Sequence, residues 1–266
     1  MTVIIPYREW GQGTPLLFLH GGWGYAMYPF DIQIAALRDR YRILIPDRAG
    51  YGKAARVTSF PRGFHENAAR EMLEFLDSLN IERCVLWGHS DGAVTAIRMG
   101  LSQPERFSAI VGEAIHYDRS KPSSRAFFET AATNPRGFGS GVAKAMASEH
   151  GEDYWEFLMR VHGKAWLDIL DNCSDPEQDL YSGRIGELPV PTLLIHGSRD
   201  PRTEAGELDR LQEALPALRV HLISGATHSP HSEPEYASEA TRVVEAFLKE
   251  CLTRLQLPSD EARLSQ

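Results

Sequence analysis

A serine, a carboxylate and a histidine, the three side chains that together cleave acyl bonds, each follow a run that reads as a β-strand in this chain of 266 residues. Ser90 lies in Gly88-His89-Ser90-Asp91-Gly92, after the apolar run 84–87 and before the helix-competent run 93–99. Strand, sharp turn and helix in that order make a nucleophile elbow, in which glycines let strand and helix approach and leave the hydroxyl exposed. A helix starting there turns its backbone N–H groups toward whatever is bound to Ser90. Serine at its free pKa is a poor nucleophile. It needs a base to take its proton, and the base needs a carboxylate to fix its tautomer and stabilise its positive charge. Asp200 follows the run 191–195 through His196-Gly197-Ser198-Arg199, and His228 follows the run 219–223 through Gly225-Ala226-Thr227. A fourth loop, His20-Gly21-Gly22-Trp23-Gly24, follows the run 16–19. Its glycine pair lets backbone N–H groups approach a developing oxyanion, or is an ordinary tight turn.

Loops at the carboxyl ends of parallel strands converge on one edge of a sheet, so the elements decide whether these residues can meet. Hydrophobic spacing predicts strands over 2–10, 16–19, 41–46, 84–87, 107–112, 191–195 and 219–223. Helices are predicted over 31–40, 64–79, 93–102, 204–215 and 235–251, with Asn80 closing the second and Pro104 preventing continuation of the third. Alternating strands and helices imply an α/β fold, with a mostly parallel central sheet and helices on both faces. The alternation stops between about 117 and 186, where helical runs are expected near 125–133, 142–150 and 152–171. An all-helical insertion of this kind reads as a cap over one end of the sheet. Its aromatics, among them Phe127, Phe128, Phe138, Tyr154, Trp155 and Trp166, would line an apolar pocket or pack the cap on the core. The expected organisation is a core of 1–116 and 187–257, a cap of 117–186, and a loose polar tail of 258–266.

Hydrophobic residues at 42% and charged residues at 24% are those of a globular protein in water. A net charge of −8 with no clustered basic surface excludes a nucleic-acid partner and leaves a small molecule as the expected one; oligomeric state is not legible. No run approaches a membrane span, and the first residues lack a basic segment followed by a long apolar one, so no membrane partner is expected. Cys84, Cys173 and Cys251 are odd in number and widely spaced, which fits reduced thiols and a cytoplasmic location. His228 and His231 have an H-x-x-H spacing, but Pro230 interrupts it and no third ligand is evident, so neither a metal nor another cofactor is expected.

With these four motifs in place, the chain resembles the α/β-hydrolase superfamily over nearly its whole length. More narrowly, the Ser-Asp-Gly elbow and compact cap are similar to small serine esterases of the valacyclovir-hydrolase type. The resemblance implies Ser90 as nucleophile, His228 as base and Asp200 as orienting acid. It implies an oxyanion hole from the N–H of Asp91 with that of Gly22, or of Trp23 if the loop is shifted by one. His231 is the rival base, and Glu113, at the end of its strand, is the rival acid. Asp91 departs from the commoner Ser-Met-Gly elbow. Its carboxylate, or that of Glu113, would attract a cationic group such as the α-amine of an amino-acid ester, or Asp91 would act only on the helix dipole. Trp23, Phe138 and Trp155 complete the expected substrate contacts. Serine at position 90 argues against dehalogenase and epoxide-hydrolase chemistry, which needs a carboxylate there. The expected reaction is hydrolysis of small carboxylic esters through an acyl-enzyme. Thioesters, lactones and carbon–carbon bonds are alternatives for the same triad, and a non-catalytic ligand receptor is an alternative of another class.

Overall fold

Continuous apolar runs suit strands covered on both faces, and in a computed structural model, which describes residues 5–173 and 179–256, they form the centre of one seven-stranded sheet. The strands are β1 Tyr7–Trp10, β2 Thr14–Leu19, β3 Tyr41–Pro46, β4 Cys84–His89, β5 Phe107–Glu113, β6 Thr192–Gly197 and β7 Arg219–Ile223. Their spatial order is β1-β3-β2-β4-β5-β6-β7, with β1 antiparallel to β3 and every other pair parallel. Successive side chains leave a strand on opposite faces, which divides the core in two. Leu17, Leu19, Leu86 and Ile110 face α2 (Phe64–Ser78) and α3 (Asp91–Ser102), meeting Met72, Leu76, Val94 and Ile97. Leu16, Phe18, Val85, Trp87 and Val111 face α1 (Asp31–Leu37) and the C-terminal helix (Ala237–Gln256), meeting Leu37, Ala240, Val244 and Leu248.

Differences from the sequence reading lie at element ends. The predicted strand 2–10 is observed only as β1, after Pro6, whose ring nitrogen cannot donate to a ladder; residues 1–4 lie outside the described range. The helix expected over 31–40 ends at Leu37, and the one expected over 235–251 starts at Ala237, past Pro234, and runs on to Gln256. The tail predicted for 258–266 lies outside the described residues.

Between β5 and β6 come α4 Arg125–Thr133, α5 Ser140–His150 and α6 Trp155–Asp171, with no strand among the described residues of this segment. A buried ion pair anchors the way into it. The Lys121 ammonium meets Glu207 at the start of α7 (Glu207–Ala214), both side chains fully buried. Glu207 also accepts the backbone N–H groups of Tyr117 (2.8 Å), Asp118 (3.0 Å) and Glu204 (2.8 Å). These bonds fasten the chain leaving β5 to the loop after β6, which carries Asp200. Breaking one partner of such a pair leaves the other charge buried and uncompensated. Glu207→Gln is therefore expected to lower unfolding free energy by roughly 3–5 kcal/mol, read as a reduced urea midpoint, with Lys121→Met/Glu207→Leu recovering part of the loss.

Candidate active site

Strand β4 runs straight into α3 with one residue between them. That residue, Ser90, has φ 53° and ψ −119°, a left-handed conformation that costs a non-glycine residue about 1–3 kcal/mol. The turn is sharp because its neighbours carry no side chain. A Cβ on Gly88 would lie 2.2 Å from the Gly92 carbonyl oxygen, and one on Gly92 would lie 2.0 Å from that of Leu19. The Ser90 N–H is held by the Glu113 carbonyl at 2.8 Å. The hydroxyl projects into a cavity with about 30 Å³ of free space, walled by Trp23, Phe127, Phe128 and Trp166.

The structure brings the three sequence candidates into one line. His228 Nε2 is 3.0 Å from Ser90 Oγ, and His228 Nδ1 is 2.8 Å from Asp200 Oδ2. The other Asp200 oxygen accepts the Arg202 N–H at 2.9 Å. Glu233 holds the His228 loop by accepting the N–H groups of Thr227 and Ser229. His89, inside the elbow, reaches the His228 carbonyl oxygen at 3.0 Å. Such a line can pass the serine proton to imidazole while the carboxylate steadies the imidazolium.

A second imidazole, which the sequence reading missed, touches the same oxygen. His116 Nε2 lies 3.3 Å from Ser90 Oγ, and its ring stacks on His228 at 5.7 Å. His116 Nδ1 is buried without a partner among the described residues, and burial holds the ring's pKa well below the ordinary value. The tautomer with its hydrogen on Nε2 gives that hydrogen to Ser90 Oγ and leaves the serine hydrogen for His228.

Asp91 sits in the first turn of α3, where a carboxylate favours the helix dipole, and its side chain is turned to protein partners. Its carboxylate takes three protein donors, His162 Nε2 at 2.6 Å, His65 Nε2 at 3.1 Å and Trp166 Nε1 at 3.1 Å. Burial alone would raise its pKa; His162 and His65 overcome that and hold it well below the usual range. Its carboxylate is thus committed within the protein rather than left open for a substrate cation. Its backbone N–H, at the start of α3, has no backbone acceptor outside the helix among the described residues and faces the oxyanion position. Opposite it, Arg48 donates to the carbonyl oxygens of His20 (2.7 Å) and Gly21 (2.9 Å), fixing the loop whose Gly22 and Trp23 line the cavity. Gly22 has no room for a side chain, since a Cβ there would meet His162 at 2.4 Å and Asp91 Oδ2 at 2.5 Å.

Other candidates are placed elsewhere. Glu113 does not face the cavity. It accepts Trp87 Nε1 at 3.2 Å and His231 Nδ1 at 2.8 Å, and it lies nowhere in the line from Asp200 to Ser90. His231 is spent on that carboxylate and on the Tyr28 carbonyl oxygen, so His228 alone of the two reaches Ser90. Phe138 packs behind the wall, edge-on to Trp23 at 4.8 Å, and Trp155 is buried in the cluster beneath it. Asp47, just past the end of β3, pairs with Arg8 at 2.6 Å. Arg202, which no motif marked, lines the cavity instead. The only signal for it was its position two residues beyond Asp200. Among the described residues no helix is long and apolar enough to cross a membrane.

Comparison with known proteins gives the chain a family. The family described as "Alpha/beta hydrolase family" matches residues 16–240. Mouse serine hydrolase BPHL is 25% identical over 93% of this chain and 84% of its own length. The 3-oxoadipate enol-lactonase 1 of Acinetobacter baylyi is 24% identical over 81% of this chain and 80% of its own. Among solved structures, a marine microorganism esterase superposes with a TM-score of 0.68 at 17% identity, over 92% of this chain and 99% of that one, a likeness of fold. The two relatives are enzymes, not receptors.

Burial first, and the Arg202 charge second, push His228 down to about 4 against the pull of Asp200. An imidazole accepts a proton only when neutral, and His228 loses its proton above that value rather than above the ordinary 6.5. For a neutral aryl ester, kcat/KM is expected to stay level from neutral pH down to about 5 and then to fall through about 4. Stopped-flow rates, with circular dichroism on the same samples to separate titration from acid unfolding, check this.

Proposed function

The chain belongs to the α/β-hydrolase family and is a hydrolase; from that premise we propose that it cleaves small carboxylic esters through an acyl-enzyme on Ser90. The observation that carries this reading is the unbroken line Asp200–His228–Ser90, with contacts of 2.8 and 3.0 Å. In the first step the Ser90 Oγ–H proton passes to His228 Nε2 as Oγ bonds to the ester carbonyl carbon. The carbonyl electron pair moves onto oxygen, facing the N–H of Asp91 and that of Gly22 or Trp23. The tetrahedral centre collapses, the bond to the alkoxy oxygen breaks, and His228 returns the proton to the departing alcohol. Water then attacks the acyl-enzyme with His228 again as base, releasing the acid and free Ser90.

The His116 N–H on Oγ supports the same steps by stabilising negative charge on the nucleophile as its proton leaves. The helices between β5 and β6 act in this reading as the cap: His162 and Trp166 of α6 reach Asp91, and Phe127 and Phe128 of α4 wall the cavity. A ring-closed ester is the second reading, supported by the enol-lactonase relative and served by identical steps. An α-amino requirement finds no support, because the Asp91 carboxylate already has its donors.

A fluorophosphonate is expected to label Ser90, and Ser90→Ala to lose activity on a short aryl ester by at least ~1,000-fold while keeping its fold. Labelling of another residue, or full activity in Ser90→Ala, would overturn the reading. His116→Phe keeps the ring against Trp166 and removes one hydrogen bond from Oγ. It is expected to lower kcat roughly tenfold with little change in KM.

A further inference from the structure

The cavity's charges are unequally satisfied. Asp91 has its three donors, and Asp200 is held by His228 and by the Arg202 N–H. The Arg202 guanidinium has neither an ion pair nor a hydrogen bond among the described residues, and its Nε is buried without a partner. It lines the cavity beside Ser90 and lies over the Phe127 ring at 4.0 Å. Its backbone is fixed from both sides: the N–H goes to Asp200 Oδ1, and the carbonyl oxygen accepts Lys121 Nζ at 3.4 Å and Ser124 Oγ at 3.5 Å. A planar five-donor fork on a fixed stem, with its own acceptors absent, matches a carboxylate.

Resting on the serine-hydrolase reading above, we infer that Arg202 is the anchor for a carboxylate on the substrate, so that the enzyme's substrates are esters or lactones bearing a negative charge. Arg202 acts on binding and on the base together. Its charge helps to hold His228 basicity down in the free enzyme, and a carboxylate seated on it cancels that repulsion. The bound anionic ester thereby meets a stronger base than a neutral one does.

The test compares para-nitrophenyl hemiglutarate with its neutral methyl ester, which places the charge on the acyl side. Para-acetoxybenzoate with its methyl ester places it on the leaving group. In Arg202→Met the ratio of kcat/KM, anionic over neutral, is expected to fall roughly 10- to 100-fold for at least one pair, and less in Arg202→Lys. For that pair the acidic limb of wild-type kcat should lie at higher pH with the anionic ester. Unchanged ratios for both pairs overturn the inference. If Arg202→Met does not fold, the wild type still decides through protection of Ser90 from fluorophosphonate. Stronger protection by glutarate than by glutaramide, fading with added salt, supports the anchor, and equal protection overturns it. Absence of Ser90 labelling together with absence of turnover on all four esters would instead sink the serine-hydrolase reading itself.

Discussion

The close approach of β4, α3 and β2 around Ser90 is the constraint from which the site follows. Backbone touches backbone at Gly88 and Gly92, and the residue between them is forced to a positive φ. Such a turn costs free energy and survives only because the sheet on one side and the helix on the other leave the chain no alternative. The same geometry frees the first N–H groups of α3 and points the hydroxyl at the loops after β6 and β7. Neither His228 nor Asp200 is near Ser90 in sequence. They arrive because parallel strands end at one edge.

Around this turn the cavity is rich in histidine, yet its imidazoles do different work. His228 spans Asp200 and Ser90, His116 reaches Ser90 Oγ, His89 supports the backbone of His228, and His162 serves Asp91. Burial lowers the basicity of His89, His116 and His228 alike, so in the free protein these three rings are held neutral at ordinary pH. The Asp91 carboxylate has its donors, whereas the Arg202 guanidinium lines the cavity with no ion pair among the described residues.

Most of the sheet and the three-residue line were legible because each rests on local pattern: an apolar run, then a glycine-rich turn, then a polar residue at the strand's end. Where reading failed, the cause was a contact across the fold. Glu113 was a candidate carboxylate for the substrate, but Trp87 and His231 claim it from 26 and 118 residues away. Trp155 and Phe138 belong to the right helical segment, though helix spacing does not say which face of each turns to the cavity. His116 and Arg202 stand in irregular loops past β5 and β6, where no periodicity marks a side chain's direction. Ser90 was readable from its neighbours; the groups that touch it or its substrate from outside a motif were not.

The Asp91 knot has a consequence for how this protein can change over generations. Its carboxylate joins three helices, through His65 of α2, its own place on α3, and His162 and Trp166 of α6. Exchange of the aspartate alone strands three buried donors, and exchange of either histidine alone strips a buried anion of a partner. Drift at these four positions is therefore concerted. Lineages of this chain that keep the aspartate should inherit both histidines and the indole with it, and those that lose it should replace all three, whatever bond they hydrolyse.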